Sequence, residues 1–353
     1  MRTALRELHI GIAWCGLPFY AARCIRALID SRIAKITVIG TKASVPIEGI
    51  ERALGHPISW ITGFERHISW ADFGKDAPDL YIQGGYQLPA FRALGTDCKN
   101  NQGRVVLASD HNWIGSVRQR IIEPVRYRAL FSCKFDGVFV AGKSGRKFYS
   151  AMGVPSERIY DGLYAADSEI FYSDSALKDR EKTLLFVGQL IKRKNVHKLC
   201  NAFSKIHNDR PEWRLKIHGS GGLAGTLPAH PAIEILPFLQ PFELAKVMRS
   251  ARCLVLPSVK ENWGLVVHEA ALCGCALLLS RVVGSAFDFA SDKNARLFNP
   301  KNQLELEQAL LEITSWPLEA WGVAQEESCR LAAGFSPTRF AEAVDKMVFD
   351  LLP

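Results

Sequence analysis

Short apolar runs bounded by turn residues alternate with helical or loop stretches along most of the chain, and this pattern constrains the fold more than any other feature. In the first half the runs are His9 to Trp14, Ile36 to Ile39, Leu80 to Ile82, Val105 to Ala108 and Val138 to Val140. The first leads into Cys15-Gly16-Leu17-Pro18 and a helical pattern with apolar Ala22, Ile25, Leu28 and Ile29, the opening of a βα unit. Such alternation predicts a mostly parallel sheet covered by helices. A second series starts at Thr183 to Gly188, followed by a helix over about Val196 to His207. Strand candidates follow at Trp213 to His218, Ala232 to Leu236, Cys253 to Leu256 and Ala276 to Ser280. The polar, aperiodic stretch from Asp167 to Glu181 reads as a linker between the two series. Pro337 to Leu352 reads as a terminal helix, with Phe340, Ala343, Val344, Met347, Val348 and Leu351 on one face. A length of 353 residues gives each series room for its own core, so two α/β domains in tandem are expected.

Composition narrows the partners. Hydrophobic residues are 48% and charged residues 23%, and no apolar run approaches the ~20 residues of a membrane-spanning helix. Met1 to His9, with Arg2, Arg6 and Glu7, lacks the apolar core of a secretory leader. Nine cysteines, mostly within apolar segments and without Cys-x-x-Cys spacing, fit buried thiols in a reducing compartment. A cytoplasmic location is expected. The net charge of +8 favours anionic partners such as nucleotides, phospholipid surfaces or nucleic acid. Nothing beyond that charge supports nucleic-acid binding, since no recognisable module occurs.

The most informative segment is Leu254 to Ala270, where a strand ends at Pro257, a loop carries Glu261 and a helix begins near Gly264. Free amides at such a helix start, at Gly264, Leu265 and Val266, make a site for phosphate, because unpaired N–H groups and the helix dipole both favour negative charge. Glu261, just outside, and Glu269, one turn in, can accept hydrogen bonds from ligand hydroxyls. Taken singly, either glutamate is equally a solvated, capping or ion-paired residue. Together they form Pro-Ser-x-x-Glu-x-Trp-Gly-x-x-x-x-Glu-Ala, a Glu-x7-Glu pair.

This motif resembles the donor site of glycosyltransferase family 4, the group 1 retaining glycosyltransferases. Three further segments match that family in order: Phe186 to Asn195 with Gly188, Arg193 and Lys194; His218-Gly219-Ser220-Gly221; and Pro237-Phe238-Leu239. The resemblance implies the GT-B fold: two Rossmann-like α/β domains facing an interdomain cleft, with the C-terminal helix crossing back to the first. The domains would be 1–172 with 337–353 for the acceptor, and 181–335 for the donor. It implies that Glu269 binds ribose hydroxyls and Glu261 contacts the donor sugar. Lys194, with Arg193, would neutralise the diphosphate, the amides of Gly264 to Val266 would hold its distal phosphate, and the backbone at Phe238 and Leu239 would read the base. Fixed cations and amides there would stabilise charge developing on the leaving diphosphate. Gln189 stands where the family often has Arg, and a neutral amide cannot replace that charge, which falls to Arg193 or another basic residue.

Gly219 to Ala224 also satisfies the G-x-G-x-x-A fingerprint of nicotinamide dehydrogenases. The next strand candidate, however, ends in Pro237-Phe238, with Glu234 inside it rather than an acid at its end. The glycines are read as letting a nucleotide or the opposing domain approach the backbone. In the first half, Val105 to Ala108 runs into Ser109-Asp110-His111, where open α/β sheets place ligands. Many members of that family have a cleft histidine at about this point, and either Asp110 or His111 can occupy it. Gly16, Gly85 and Tyr86 are candidates for the acceptor cleft or are simple turns. Arg118, Arg120, Arg126, Arg128 and Lys134, opposed only by Glu123, read as a solvated basic face, an anionic-membrane contact or a pyrophosphate site.

No Asp-x-Asp and no His-x-x-x-His occurs, so neither a paired-aspartate metal site nor a zinc hydrolase has a basis. The expected activity is metal- and cofactor-free transfer of a hexosyl unit from a nucleotide diphosphate sugar to a glycan or lipid-linked acceptor. Polysaccharide, lipopolysaccharide or glycolipid assembly, with peripheral contact at the inner membrane face, is the setting the resemblance implies. A sugar-nucleotide epimerase of the same fold and a non-catalytic nucleotide-sugar sensor are the alternatives.

Overall fold

The computed structural model describes residues 7–31, 34–43, 47–130 and 132–352. Met1 to Arg6, part of the stretch read above for a leader, lies outside the described residues. The chain divides into two compact units, 1–165 with 336–353, and 166–335.

The strands of the first unit are β1 (His9–Trp14), β2 (Lys35–Gly40), β3 (Ile58–Trp60), β4 (Leu80–Gly84), β5 (Arg104–Ser109), β6 (Gly137–Val140) and β7 (Ile159–Asp161). All pair in parallel, in the order β3-β2-β1-β4-β5-β6-β7. Helices α1 (Phe19–Ser31), α2 (Ile50–Leu54), α3 (Pro89–Asn100), α4 (Glu123–Leu130) and α5 (Lys143–Ala151) connect them. Alternation along β1 explains why both faces need cover. Ile10, Ile12 and Trp14 join one buried cluster with α1, and Ala13 joins another with Phe91 and Leu94 of α3.

The second unit repeats the plan without a sequence repeat. Its strands β8 (Glu181–Val187), β9 (Arg214–His218), β10 (Ile233–Leu236), β11 (Ala251–Leu256), β12 (Ala276–Ser280) and β13 (Ala295–Phe298) run parallel in the order β10-β9-β8-β11-β12-β13. Its helices are α6 (Val196–Ile206), α7 (Pro241–Ser250), α8 (Leu265–Leu272), α9 (Ala286–Phe289), α10 (Gln303–Thr314) and α11 (Leu318–Ala332). Strand order reverses between β1 and β4 in the first unit, and between β8 and β11 in the second. The carboxyl ends at such reversals are where doubly wound sheets bind ligands.

The last helix, α12 (Pro337–Leu351), belongs to the first unit. Ser336 caps it by accepting from the Arg339 N–H, and Phe340, Val344 and Met347 are buried in the cluster that holds α1. The polar stretch 167–181 lies inside the second unit rather than between units. The reason is Arg180, buried despite its charge: its guanidinium donates to the Ala251 carbonyl at 3.2 Å, to the Cys273 carbonyl and to Ser173 Oγ at 3.1 Å.

Candidate active site

At the carboxyl end of β8 the chain turns at Gly188, whose φ of 153° suits glycine. Its N–H donates to the His218 carbonyl at 3.0 Å, and the Leu190 N–H donates to the Ser220 carbonyl at 2.8 Å. This lacing explains the glycine turn after β9. A Cβ on Gly219 would lie 1.9 Å from the Gly188 carbonyl oxygen, and one on Gly221 would lie 2.6 Å from that of Leu190. The close approach expected at these glycines is thus taken by a loop of the same unit. The Gly219 N–H donates to the Leu236 carbonyl at 3.1 Å, which sets half-buried Phe238 and Leu239 just beyond this turn.

Beyond Gly188 a 3-10 turn, Lys192–Lys194, ends on Asn195 in the left-handed conformation (φ 60°). The Asn195 amide donates to the carbonyls of Pro257 (3.1 Å) and Pro300 (3.2 Å), and the Val259 N–H donates to the Arg193 carbonyl at 2.8 Å. These bonds fasten the basic turn to the loop after β11. They bring Lys194 Nζ within 2.5 Å of Glu261 Oε2, with only 9% and 10% of the two side chains exposed. Ser258 Oγ donates to the same oxygen at 2.9 Å, and the half-exposed Arg193 guanidinium lies 3.6 Å from Oε1. Glu261, which alone reads as a solvated loop residue, is instead the centre of a buried charged cluster. A Cβ on Gly188 would lie 3.8 Å from Lys194 Nζ, so the turn and the cluster adjoin.

Gly264 (φ 89°) starts α8 without a side-chain cap. The N–H groups of Leu265 and Val266 have no partner among the described residues, and a Cβ on Gly264 would lie 3.2 Å from Glu261 Cγ. One turn along, Glu269 is partly buried and its carboxyl has no side-chain partner among the described residues. Burial lifts that carboxyl from its ordinary 4.5 to about 7.

Its neighbour His268 is fully buried, with Nδ1 2.9 Å from the Ala166 N–H and Nε2 3.1 Å from the Ala332 carbonyl. A backbone N–H only donates and a carbonyl only accepts, so the proton sits on Nε2. The ring stacks on Phe289 at 4.7 Å. His268, Ser258, Asn195 and Ser285, whose Oγ donates to the Gly264 carbonyl at 3.2 Å, hold the site in place. Sequence reasoning gave none of them a role, and only the Pro-Ser dipeptide and an Asn at a helix start hinted at two of them.

In the first unit, the carboxyl ends of β1, β4 and β5 surround a cavity of about 250 Å³ lined by Gly85, Tyr86, Asp110, His111, Trp14 and Tyr164. Both candidates for the cleft position therefore reach it. His111 Nδ1 lies 2.6 Å from Ser109 Oγ, and its ring stacks on Phe148 at 5.1 Å. The Tyr164 hydroxyl bonds Asp110; burial, and then that carboxylate, push the phenol well above its ordinary range. Gly16 (φ 58°) lines a neighbouring cavity with Tyr20, Lys42 and the same Trp14 and Tyr164, whose rings meet that of Tyr20 at 6.3 and 5.0 Å. Among the described residues no group of three His, Cys, Asp or Glu side chains is placed to share a metal ion, and no helix is long and apolar enough to cross a membrane.

Residues 167–320 match the family described as glycosyl transferases group 1. An uncharacterized glycosyltransferase of Methanocaldococcus jannaschii is 32% identical over 160 residues, 41% of this chain and 41% of the relative. A D-inositol 3-phosphate glycosyltransferase of Corynebacterium jeikeium is 28% identical over 190 residues, 49% of this chain and 45% of the relative. The chain thus matches less than half the length of these relatives. Among solved structures, Anabaena Alr3699/HepE in complex with UDP superposes with a TM-score of 0.74 at 13% identity, covering 98% of this chain and 100% of that one. The pneumococcal O-GlcNAc transferase GtfA in complex with UDP and GlcNAc gives 0.70 at 13%, covering 99% and 100%. At such identity the likeness establishes the fold, which is GT-B. Residues 167–320, the stretch that carries the Lys194–Glu261 cluster and Glu269, are thus the part of the chain that is similar to the group 1 glycosyl transferases.

Proposed function

We propose that the chain is a retaining hexosyltransferase, moving a sugar from a nucleotide diphosphate donor held by the second unit to an acceptor hydroxyl held by the first. The observation that carries this reading is Glu269, a partly buried carboxyl without a side-chain partner among the described residues, one turn inside a helix whose first amides likewise have none among them. An unpaired buried acceptor of this kind costs free energy that ribose hydroxyls would return on binding. The Leu265 and Val266 amides then hold the distal phosphate, and the backbone at Phe238 and Leu239 reads the base. Lys194 and Arg193 face the diphosphate while Glu261 contacts the sugar.

As the glycosidic bond breaks, its electron pair moves to the diphosphate oxygen, where these donors stabilise it. The acceptor oxygen bonds the sugar carbon on the same face, and its proton passes to a phosphate oxygen of the leaving group. Asp110 and His111, with Gly16, Gly85 and Tyr86, position the acceptor. No metal or bound cofactor takes part.

A glycan or lipid-linked acceptor in polysaccharide, lipopolysaccharide or glycolipid assembly fits this reading, as does a cytoplasmic enzyme held peripherally at the membrane. Support for membrane contact comes from a π-helical turn, Arg118–Ile122, running into α4. Ile114, Val117, Ile121, Ile122 and Val125 are 56–72% exposed there, interleaved with Arg118, Arg120, Arg126 and Arg128. Pelleting with anionic liposomes is expected for the native chain and not for Ile121→Glu/Val125→Glu; failure of the native chain to pellet removes the membrane from the reading.

The deciding experiment is a thermal-shift panel of UDP, GDP, ADP and TDP sugars plus NAD on the native chain and Glu269→Ala. Stabilisation by one sugar nucleotide, lost in the variant, is expected. Silence toward all sugar nucleotides, or a response to NAD alone, refutes it. Gln189 favours a second reading, a nucleotide-sugar sensor, which would bind donor without releasing nucleotide.

A further inference from the structure

We infer that a third cavity of the first unit, apart from the two at the strand ends, is a binding site for a phosphoryl group. Its floor breaks two local rules at one point. Gln83, on the interior strand β4, is 2% exposed, and its Nε2 has no hydrogen-bond partner; Oε1 has none among the described residues either. Buried amides are normally paired, so an unpaired one needs an explanation. Opposite it, α3 carries Gly95 in its interior, where glycine weakens a helix. A Cβ at position 95 would lie 2.6 Å from Gln83 Oε1, so the glycine makes room for that amide. Two local defects serving one polar group mark a functional site more than a core.

The cavity beside them measures about 230 Å³ and carries Arg92, Lys99 and Lys134 on its walls. Lys99 is held by Asp136 at 3.0 Å, but the Arg92 and Lys134 side chains have no partner among the described residues. The site therefore offers two free cations and an uncommitted amide. At ~30 Å³ per water it holds roughly eight waters, below the ~300–1,000 Å³ of drug-sized sites, which suits a compact anion rather than a whole nucleotide. An Arg fork and a Lys ammonium take phosphoryl oxygens by charge-assisted hydrogen bonds. Since no bond fixes which amide atom of Gln83 is which, rotation presents its NH2 to a further oxygen without breaking a contact. Tyr86 lines both this cavity and the one at Asp110 and His111, so an anion here would sit behind the wall of the candidate acceptor site.

Inorganic phosphate is the probe, with phosphatidate vesicles as a second arm to separate a free phosphoryl group from a lipid headgroup. Phosphate should raise the Tm of the full chain and slow alkylation of exposed Cys133, at the cavity mouth, severalfold by mass spectrometry. Gln83→Leu should melt about 2–4 °C higher without ligand, as an unpaired amide is removed, yet lose the phosphate response. Arg92→Ala/Lys134→Ala, at solvent-facing positions, should lose the response at an unchanged Tm and keeps the test open should Gln83→Leu fold poorly. Protection of Cys133 by vesicles but not by phosphate assigns the lipid source. An undiminished response in both variants, or no protection of Cys133 by either probe, overturns the site and leaves Gln83 merely hydrated.

Discussion

Glu269→Gln is expected to stabilise the second unit above neutral pH while weakening its hold on a nucleotide sugar. Burial lifts the carboxyl from 4.5 to about 7, so the fold accommodates its neutral form better than its anion. Between those values the folded chain keeps a proton that the unfolded chain has released. The stability this group contributes is therefore complete below about pH 4.5 and is lost as pH rises toward 7. The distance from 4.5 to 7, at about 1.36 kcal/mol per pH unit, makes the loss about 3 kcal/mol. A neutral amide removes it. The variant should melt near the native value at pH 4.5 and higher at pH 8, by roughly 6–12 °C at about 2–4 °C per kcal/mol. Thermal melts of both proteins from pH 4.5 to 8 test this. In titrations with the sugar nucleotide that stabilises the native chain, the variant should bind roughly 10–100-fold more weakly at pH 8, the worth of a hydrogen bond to a charged acceptor. Parallel melting profiles for the two proteins would refute the reasoning, since Glu269 would then be solvated or already paired.

Lys194→Met takes the nearest cation from the Glu261 carboxylate, leaving it Ser258 and the more distant Arg193, in a site where both side chains are about nine-tenths buried; it should cost up to about 3–5 kcal/mol in urea unfolding, while Lys194→Met/Glu261→Leu recovers most of it. Additive single and double losses would mean that the pair does not couple. Gly219→Ala must push apart a Cβ and a carbonyl oxygen 1.9 Å away and should cost about 1–3 kcal/mol, whereas Gly222→Ala, with nothing within 4 Å, should be nearly neutral; equal Tm changes would contradict the lacing of the two loops. His268→Phe keeps the stack on Phe289 but deletes both hydrogen bonds, so the Ala166 amide should exchange about tenfold faster, and His268→Asn, whose Oδ1 can stand in for Nδ1, should restore part of that protection. An unchanged exchange rate in His268→Phe would leave His268 as core filling.

The interior strands were legible because they are buried on both faces, and runs such as Leu254-Val255-Leu256 cannot be solvated. Three strands were not. Ile58–Trp60 and Ile159–Asp161 are three residues long and lie at sheet edges, and the latter carries Asp161, paired with Arg146 at 2.5 Å. Ala295–Phe298 is also an edge, with Arg296 and exposed Leu297 interrupting its apolar face. The stretch 167–181 reads as a linker because composition registers the charge of Arg180 and not the carbonyls that accept from its two terminal nitrogens. Within the site, the Glu-x7-Glu motif drew attention to Glu261 and Glu269, and the family resemblance it carries implied Lys194. Neither could show that Lys194 and Glu261, 67 residues apart, meet through the Asn195 tether, because sequence distance carries no information on tertiary contact.

Two glutamates eight positions apart in one motif end in opposite environments, and that contrast bears on how a donor would enter. Glu261 is held by Lys194, Arg193 and Ser258, so an arriving diphosphate finds its principal cation already engaged. It must share Lys194 with Glu261 rather than fill an empty clamp, and the neutral Gln189 nearby adds no second charge. Glu269 is the reverse, a carboxyl with no side-chain partner among the described residues, which burial disfavours as an anion. Ligand hydroxyls would favour that anion, and a ligand phosphate would draw Lys194 away from Glu261 and release its carboxylate toward the sugar. On the proposed reading, affinity therefore comes largely from Glu269, while the Lys194–Glu261 pair tunes how much charge the site offers the leaving group. Loss of Glu269 should then fall mainly on donor binding, and loss of Lys194 mainly on turnover, because only the second interaction strengthens as the glycosidic bond breaks.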